Sequence, residues 1–309
     1  MDHHAHVGAG AGRSDVAHIR ALSALLASAI TITTTGSAAA DAGPECVMKP
    51  HPVLSRVVVV VFENKEFEQV LGSLEAPTFR ALARRYAVLT HYRAVAHPSL
   101  PNYLALVSGS THGITSDCTS CQVDAPNLAD TLERAGKSWK TYAEGLPRAG
   151  FTGAWADRYA KKHNPFLYFA DVVERPDRLR RIVPLDAFRR DLRARRLPDF
   201  SLVVPDLCHD MHDCSVATGD SWLRWFLRPL LHSPALRGGV VFLVFDEGVS
   251  SEGGGGHVPA LVLGPLVRAG SRSATRLDHY GLLRTIETGL SLPLLGRSRG
   301  ATPIADIWR

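Results

Sequence analysis

Four short segments of the chain are almost continuously apolar instead of alternating between apolar and polar positions. They are rich in β-branched residues and span residues 57–62, 200–204, 240–245 and 258–263. Runs of this kind are typical of strands that are buried on both faces of a parallel sheet. The pattern therefore predicts a central sheet that is covered on both sides.

Segments with helical spacing of apolar residues separate most of these strands. The predicted helices span residues 78–86, 128–135, 186–196 and 221–231, with Asp186 and Asp220 as expected N-caps and Gly136 as an expected C-terminal stop. Strands that alternate with helices predict an α/β domain with a mostly parallel central sheet. Residues 145–185 show weak periodicity, so we expect a long loop or insertion that shapes a pocket.

The N-terminal segment has the layout of a signal peptide. Arg13 and Arg20 precede an apolar run at residues 21–32, and small residues follow it. The run is shorter than the roughly 20 apolar residues that a membrane-spanning helix needs. We therefore expect residues 1–42 to be an N-terminal extension and signal peptide and residues 43–309 to form one catalytic domain, secreted and without a transmembrane segment.

Cysteine usage agrees with export. Cys118 lies close to Cys121 in the sequence, as Cys208 does to Cys214, and an oxidising compartment favours a bridge within each pair. Cys46 is left without a predicted partner.

The chain is basic, with a formal net charge of +5 and a pI near 9.1. This charge favours anionic substrates and allows contact with an anionic membrane surface. The arginines at 175–181 and 189–196 resemble a solvated helix face without interleaved aromatic residues, so no nucleic-acid partner is predicted. We expect a monomer.

Two of the predicted strands end in polar pairs, Glu63-Asn64 and Asp246-Glu247. Ligands of open α/β sheets bind beyond the carboxyl ends of the strands. Either pair alone fits a turn or a helix cap equally well. If the two strands are neighbours, however, their carboxylates converge, and like charges repel unless a cation lies between them.

A serine precedes another predicted helix. Pro101 suits a first helical turn, which places Ser99 just outside the N-terminus, where N–H groups and the helix dipole favour an anion. A serine there can attack phosphorus and have the phosphate oxygens held. The alternative is that Ser99 is only an N-cap.

Five motifs, taken in order, resemble the phosphoesterase family of secreted bacterial acid phosphatases and phospholipases C in the alkaline phosphatase superfamily. The similarity runs from about residue 55 to the C-terminus, and it implies a three-layer α/β sandwich like that of alkaline phosphatase. The motifs are FEN at 62–64, HPSLPNYLALVSGSTHGI at 97–114, KHNPF at 162–166, DMHD at 210–213 and FDEG at 245–248.

The resemblance also implies roles for individual residues. Asn102 would contact a phosphate oxygen, and Ser99 would be both nucleophile and metal ligand. Every implied ligand offers oxygen, so we expect one divalent ion, namely magnesium, calcium or manganese. The remaining implied ligands are Glu63, Asn64, Asp246 and Glu247.

A leaving alkoxide needs a proton, and imidazole can supply it in mildly acidic surroundings. His212 is the first candidate and His163 the second, while His209 and His257 are weaker candidates. An alternative second metal site would use Asp206, Asp210 and His257. We favour a single metal ion, with Asp210 and His257 serving the substrate.

The predicted function is therefore that of a secreted acid phosphatase that hydrolyses small-molecule or lipid phosphomonoesters through a phosphoseryl intermediate. A phosphodiesterase of the phospholipase C kind is the alternative with the same core, and an inactive, exported metal-binding module is the alternative from another class. A sulfatase is disfavoured because Tyr103 stands where the sulfatase nucleophile motif needs arginine.

Overall fold

The computed structural model describes residues 51–309. The strands are β1 (Arg56–Phe62), β2 (Ala87–Leu89), β3 (Tyr92–Arg93), β4 (Trp139–Ala143), β5 (Trp155–Ala156), β6 (Tyr159–Ala160), β7 (Ile182–Pro184), β8 (Phe200–Val204), β9 (Gly239–Phe245), β10 (Ala260–Leu263), β11 (Arg272–Ser273) and β12 (Leu277–Asp278). The helices are α1 (Phe67–Leu71), α2 (Pro77–Arg85), α3 (Ser99–Ser108), α4 (Leu128–Arg134), α5 (Ala170–Val173), α6 (Pro176–Leu179), α7 (Asp186–Arg193), α8 (Val216–Leu231) and α9 (His279–Gly289). Short 3₁₀ turns span Lys161–His163, Pro165–Tyr168, Pro234–Leu236, Glu252–Gly254 and Gly296–Gly300.

Within these residues the central sheet holds eight strands in the order β11-β2-β10-β9-β1-β8-β4-β7. The five strands from β9 to β7 are parallel to one another. The predicted α/β class with a mostly parallel sheet is confirmed. The predicted strand at 258–263 begins at Ala260 and runs antiparallel to β9, because a loop without a crossover helix returns the chain beside the strand that it has just left.

Both faces of the sheet are covered. Every β1 residue from Val57 to Phe62 is buried, as the unbroken apolar run predicts. On one side, the Phe62 ring packs edge-on against Phe79 of α2 and Trp222 of α8, with ring centroids 5.2 and 5.9 Å apart. α3 and α9 pack against each other as a second pair. Layers of helices around one sheet are the architecture that the resemblance implies.

Two predicted N-caps are wrong. Asp186 is the first residue of α7 and follows its N-cap Leu185. α8 begins five residues earlier than expected, because the Ser215 side chain accepts a hydrogen bond from the Thr218 N–H. Asp220 is buried within α8 and accepts a hydrogen bond from the Phe79 N–H, so it joins α8 to the start of α2.

The early start of α8 depends on a close approach at Gly219. A Cβ there would lie 2.5 Å from the Met211 side chain and 3.0 Å from the His209 carbonyl oxygen. Glycine therefore lets the first turns of α8 pack directly on the loop that follows β8.

Residues 145–185 are more regular than the predicted loop. They contain the hairpin β5–β6, two short helices and β7, which forms the edge strand beside β4. Apolar periodicity is weak here because the elements are too short to show it. The predicted C-terminal stop is confirmed, since α4 ends at Arg134 and Gly136 has a φ of 68°.

Disulfides join Cys118 to Cys121 and Cys208 to Cys214, as the cysteine spacing predicts. The predicted signal peptide, the domain boundary after residue 42 and Cys46 lie outside the described residues. Among helices of residues 51–309, none combines the length and apolar character needed to cross a bilayer.

The buried Glu287 of α9 makes stability depend on pH. Its carboxylate accepts hydrogen bonds from the Leu295 N–H and the Ser298 hydroxyl, yet burial raises its pKa to about 7 from an ordinary 4.5. The Glu287 carboxyl group thus binds its proton more tightly in the folded state than in the unfolded state. This preference stabilises the folded state at low pH, and the stabilisation is lost as the pH rises from 4.5 through about 7.

We expect Glu287→Gln to raise Tm by about 2 to 4 °C at pH 8 and to have little effect at pH 4. Thermal unfolding at both pH values would measure this, with the exposed Glu68→Gln as a control that moves Tm at neither. An equal change in Tm at both pH values for Glu287→Gln would contradict the assignment.

Candidate active site

The predicted nucleophile lies between two carboxylates. α3 begins at Ser99, its N-cap is Pro98, and no side-chain capping hydrogen bond is made. The buried Ser99 Oγ lies 3.0 Å from Glu63 Oε2 and 3.3 Å from Glu247 Oε1, so its hydroxyl can donate to one of them. The plain N-cap alternative is therefore wrong.

The two acidic strand ends meet, as predicted. β1 and β9 are adjacent and in register through Phe62 and Phe245, so the residues that follow leave the sheet side by side. The Asp246 N–H donates to the Phe62 carbonyl at 2.9 Å. The Asn64 N–H lies 3.4 Å from Asp246 Oδ1.

Buried acids of like charge disfavour ionisation of one another. Burial, with a further contribution from Asp210, raises the pKa of Glu63 to about 7. Burial raises the pKa of Asp246 well above its ordinary value, and the charges of Glu63 and Glu247 add to this effect. A bound cation would reverse these shifts, because it favours the ionised carboxylates.

Two unsatisfied oxygens show where a cation fits. Asn64 Oδ1 and Asp246 Oδ2 are buried and have no hydrogen-bond partner within residues 51–309. Buried polar atoms are normally satisfied, so an unpartnered pair beside two further carboxylates suits a hard divalent ion. The predicted oxygen ligands thus fit a metal ion.

A mixed group of ligands lies next to these oxygens. Ligand atoms of Glu63, His163 and His212 lie within 4.8 Å of one another. Nitrogen donors suit zinc and other transition metals better than they suit magnesium or calcium. Glu63 belongs to both sets, so the donors do not single out one metal.

His163 is enclosed by acids. Its Nε2 lies 3.2 Å from Glu63 Oε1, its Nδ1 lies 3.2 Å from Asp210 Oδ2, and its ring stacks on Tyr103. Burial lowers the pKa of His163 to about 4 and raises that of Asp210 to about 8. His212 is more open: its side chain is 27% exposed and its Nδ1 lies 2.6 Å from Asp213 Oδ1.

The sequence analysis did not single out Lys162, which lies beside His212. Lys162 Nζ donates to Asp117 Oδ2 at 2.9 Å and lies 3.3 Å from His212 Nε2. Asp117 Oδ1 accepts the Leu100 N–H at 2.9 Å. Lys162 is the first residue of the KHNPF motif, so that motif could have identified it. Asp117 lies in none of the five motifs.

The N-terminus of α3 therefore offers fewer free N–H groups than expected. Asp117 occupies the Leu100 N–H, and Pro101 has none. Lys162 supplies a cation near this end of α3, where it is paired with Asp117.

Asn102 has contacts other than the predicted one with phosphate. Its Oδ1 accepts the N–H groups of Val95 and Ala96 at 3.0 and 3.1 Å, and its Nδ2 donates to the carbonyls of Ala96 and Pro98. These bonds engage the whole buried amide and fold the segment before Ser99 against α3. The contact with a phosphate oxygen stays a prediction.

Two further histidines hold the acidic strand end in place. His97 Nδ1 lies 2.6 Å from Glu247 Oε2, and its Nε2 lies 2.8 Å from the Ser250 carbonyl oxygen. His279, at the start of α9, is buried with its Nε2 2.6 Å from the Asp246 carbonyl oxygen. Neither was assigned a role from the sequence.

The alternative second metal set is not brought together. The His257 ring stacks on Phe67 and lies 2.9 Å from the Thr90 carbonyl oxygen. Asp206 instead forms a separate group with Glu144 and His209, with ligand atoms within 4.8 Å of one another. The proposed contact of His257 with substrate has no support in these contacts and stays a prediction.

We expect Asn102→Ala to lower the free energy of unfolding by about 1–3 kcal/mol, because the N–H groups of Val95 and Ala96 lose their acceptor. Urea denaturation with chelator present would measure this. Asn164→Ala is the matched control, since Asn164 is equally buried but makes one side-chain hydrogen bond, to Tyr159. An equal loss of unfolding free energy in both variants would mean that the cavity left by the missing side chain causes the effect, and not the lost hydrogen bonds of Asn102.

Sequence comparison agrees with the motifs. The family model described as the Phosphoesterase family matches residues 75–293. The chain is 36% identical over 260 residues to a phosphatidylinositol-3-phosphatase of Mycobacterium tuberculosis. That alignment covers 83% of this chain and 84% of the other protein. It is 32% identical over 264 residues to a probable acid phosphatase of Kluyveromyces lactis, covering 82% of this chain and 62% of the longer yeast protein.

Solved structures support the fold. A Vibrio parahaemolyticus protein of the alkaline phosphatase superfamily superposes with a TM-score of 0.59 at 15% identity, covering 84% of this chain and 73% of that one. A phosphonate monoester hydrolase of Silicibacter pomeroyi gives a TM-score of 0.57 at 12% identity, with 82% and 78% covered. The chain belongs to the phosphoesterase family and is a phosphomonoester hydrolase.

Proposed function

We propose that the protein is a metal-assisted acid phosphatase that uses Ser99 as its nucleophile. The observation that carries the proposal is the position of Ser99 Oγ, at the first residue of α3 and within 3.3 Å of carboxylates from two adjacent strands. A carboxylate at this distance can accept the hydroxyl proton as the oxygen attacks phosphorus.

The chemistry has two displacements. In the first, Ser99 Oγ forms a bond to phosphorus, the bond from phosphorus to the alcohol oxygen breaks, and a proton goes to that oxygen. In the second, water attacks the phosphoserine, which releases inorganic phosphate and restores the hydroxyl. A divalent ion held by Glu63, Asn64, Asp246, Glu247 and Ser99 would neutralise charge that develops on the phosphoryl group.

His212 is the better candidate for the acid that protonates the leaving group. Its ring is partly exposed, so a substrate oxygen can reach it, and Asp213 holds its Nδ1. The Lys162 ammonium, which can only donate, lies 3.3 Å from its Nε2, so Lys162 must turn from His212 to the phosphate before Nε2 can carry the proton for the leaving group. His163 is almost fully buried, with a carboxylate oxygen 3.2 Å from each ring nitrogen, so a leaving group reaches it less easily than it reaches His212.

Lipid phosphomonoesters belong to the proposed substrate class. The relative with 36% identity is named a phosphatidylinositol-3-phosphatase, and its match spans most of both chains. The two disulfides are compatible with a secreted enzyme.

Ser99→Ala should lower the rate of phosphate release from p-nitrophenyl phosphate more than about a thousandfold, because the attacking oxygen is removed. Steady-state kinetics at acidic pH would measure this. Ser108→Ala is the matched control: Ser108 is buried in the same helix, but its hydroxyl donates to the Leu104 carbonyl. Full activity of Ser99→Ala, or release of phosphocholine instead of phosphate from a choline phospholipid, would contradict the proposal.

Asp246→Ala should weaken divalent-ion binding more than about 100-fold, because the lost side chain would bind the ion directly, whereas loss of a residue that only supports a ligand costs about 10- to 100-fold. Isothermal titration with magnesium, calcium, manganese and zinc would measure this and identify the preferred ion. Asp191→Asn is the control, because Asp191 is buried with Lys140 and Tyr142. Ion binding that survives Asp246→Ala and disappears in His209→Ala would place the ion in the other group of ligands.

A further inference from the structure

The hairpin β5–β6 presents an exposed tryptophan. Trp155 pairs with Ala160 and Ala156 pairs with Tyr159, with Asp157 and Arg158 in the turn. Trp155 is 56% exposed, whereas Tyr159 is buried. Trp155 lies at the open end of this short hairpin, and its exposed ring is free to contact another surface.

The hairpin is attached to the candidate active site through the chain that follows β6 and through its turn. The Lys161 N–H donates to the Ala154 carbonyl at 2.9 Å, and the chain then continues directly into Lys162 and His163. The Leu207 N–H donates to the Arg158 carbonyl at 3.0 Å, which ties the turn to the loop that carries Asp210 and His212. Any external surface that contacts the hairpin therefore lies next to the candidate catalytic groups.

Topology places a second exposed apolar residue at the same edge. β9, β1, β8 and β4 are parallel neighbours, so the loops that follow them leave from one edge of the sheet. Val249, in the loop after β9, is 67% exposed. The loop after β4 leads into the Trp155 hairpin.

Two exposed arginines lie in the hairpin and just before it. Arg158 in the turn and Arg148 before the hairpin are exposed, and the Arg148 guanidinium lies over the Phe151 ring at 5.8 Å. Asp157 is the exposed acid of the turn. With a chain of net charge +5, this arrangement complements a negatively charged surface.

We propose that Trp155, Val249, Arg148 and Arg158 form a rim surface that contacts an anionic lipid bilayer and presents the active site to lipid phosphomonoesters. Tryptophan is favoured at the boundary between lipid headgroups and acyl chains, and arginine is attracted to anionic headgroups. Apolar insertion and electrostatic attraction act together in such peripheral binding. The inference rests on the proposed phosphatase function only for the identity of the substrate; bilayer contact itself can be measured without turnover.

The test is co-sedimentation with vesicles of phosphatidylcholine mixed with phosphatidylserine, compared with vesicles of phosphatidylcholine alone. The full chain should bind the mixed vesicles and release them as salt rises. Trp155→Ala should lower the partition coefficient about tenfold and Arg158→Ala about fivefold. Trp225→Ala is the matched control, because Trp225 is 49% exposed but lies on α8, stacked against the Arg189 guanidinium.

Turnover separates this inference from the proposed function. Trp155→Ala and Arg158→Ala should leave hydrolysis of p-nitrophenyl phosphate unchanged and lower phosphate release from phosphatidylinositol 3-phosphate in the mixed vesicles. Ser99→Ala should bind vesicles as the parent does; if Ser99→Ala also retained activity, the proposed function would fail while bilayer contact stood. Failure of the parent chain to bind mixed vesicles, or an equal loss in Trp225→Ala, would overturn the rim surface.

Discussion

The active site depends on the burial of several carboxylates at neighbouring strand ends. Glu63 and Asp246 follow β1 and β9, whose parallel pairing leaves the two residues no room to separate. Their raised pKa values reflect this arrangement. The fold tolerates these buried carboxylates because Glu63 and Glu247 have hydrogen-bond partners and because the oxygen donors suit a cation.

Much of the surrounding structure holds these acids in place. The Tyr103 hydroxyl donates to Glu63 Oε1 at 2.5 Å, His97 contacts Glu247, and His279 contacts the backbone of Asp246. Asn102 does the same for the proposed nucleophile, because its amide folds the segment before Ser99. Catalytic geometry thus depends on groups that need never touch a substrate.

One edge of the sheet combines chemistry and surface recognition. Loops after β9, β8 and β4 carry, in turn, the acidic pair, the Asp210–His212 segment and the hairpin with Trp155. The parallel direction of these strands is what brings their loops to the same edge. The proposed rim surface and the proposed nucleophile therefore belong to one side of the sheet, as hydrolysis of phosphate esters embedded in a bilayer requires.

The sequence by itself determined the sheet class, four of the eight strands of the central sheet, the acids at the ends of two of them and the two disulfide pairs, because each follows from local apolar runs or short spacing. Tertiary structure decided that β1 and β9 are neighbours, so that Glu63 and Asp246 meet. It decided the direction of β10, the N-cap of α8 at Ser215 rather than Asp220, and the amide contacts of Asn102. It also decided the separation of Asp206 and His257, and the pairing of Lys162 with Asp117. The pairing of β1 with β9 and of Lys162 with Asp117 joins residues far apart in the chain, whereas the cap at Ser215 and the amide contacts of Asn102 are local side-chain hydrogen bonds. Neither kind of contact leaves a periodic pattern in the sequence.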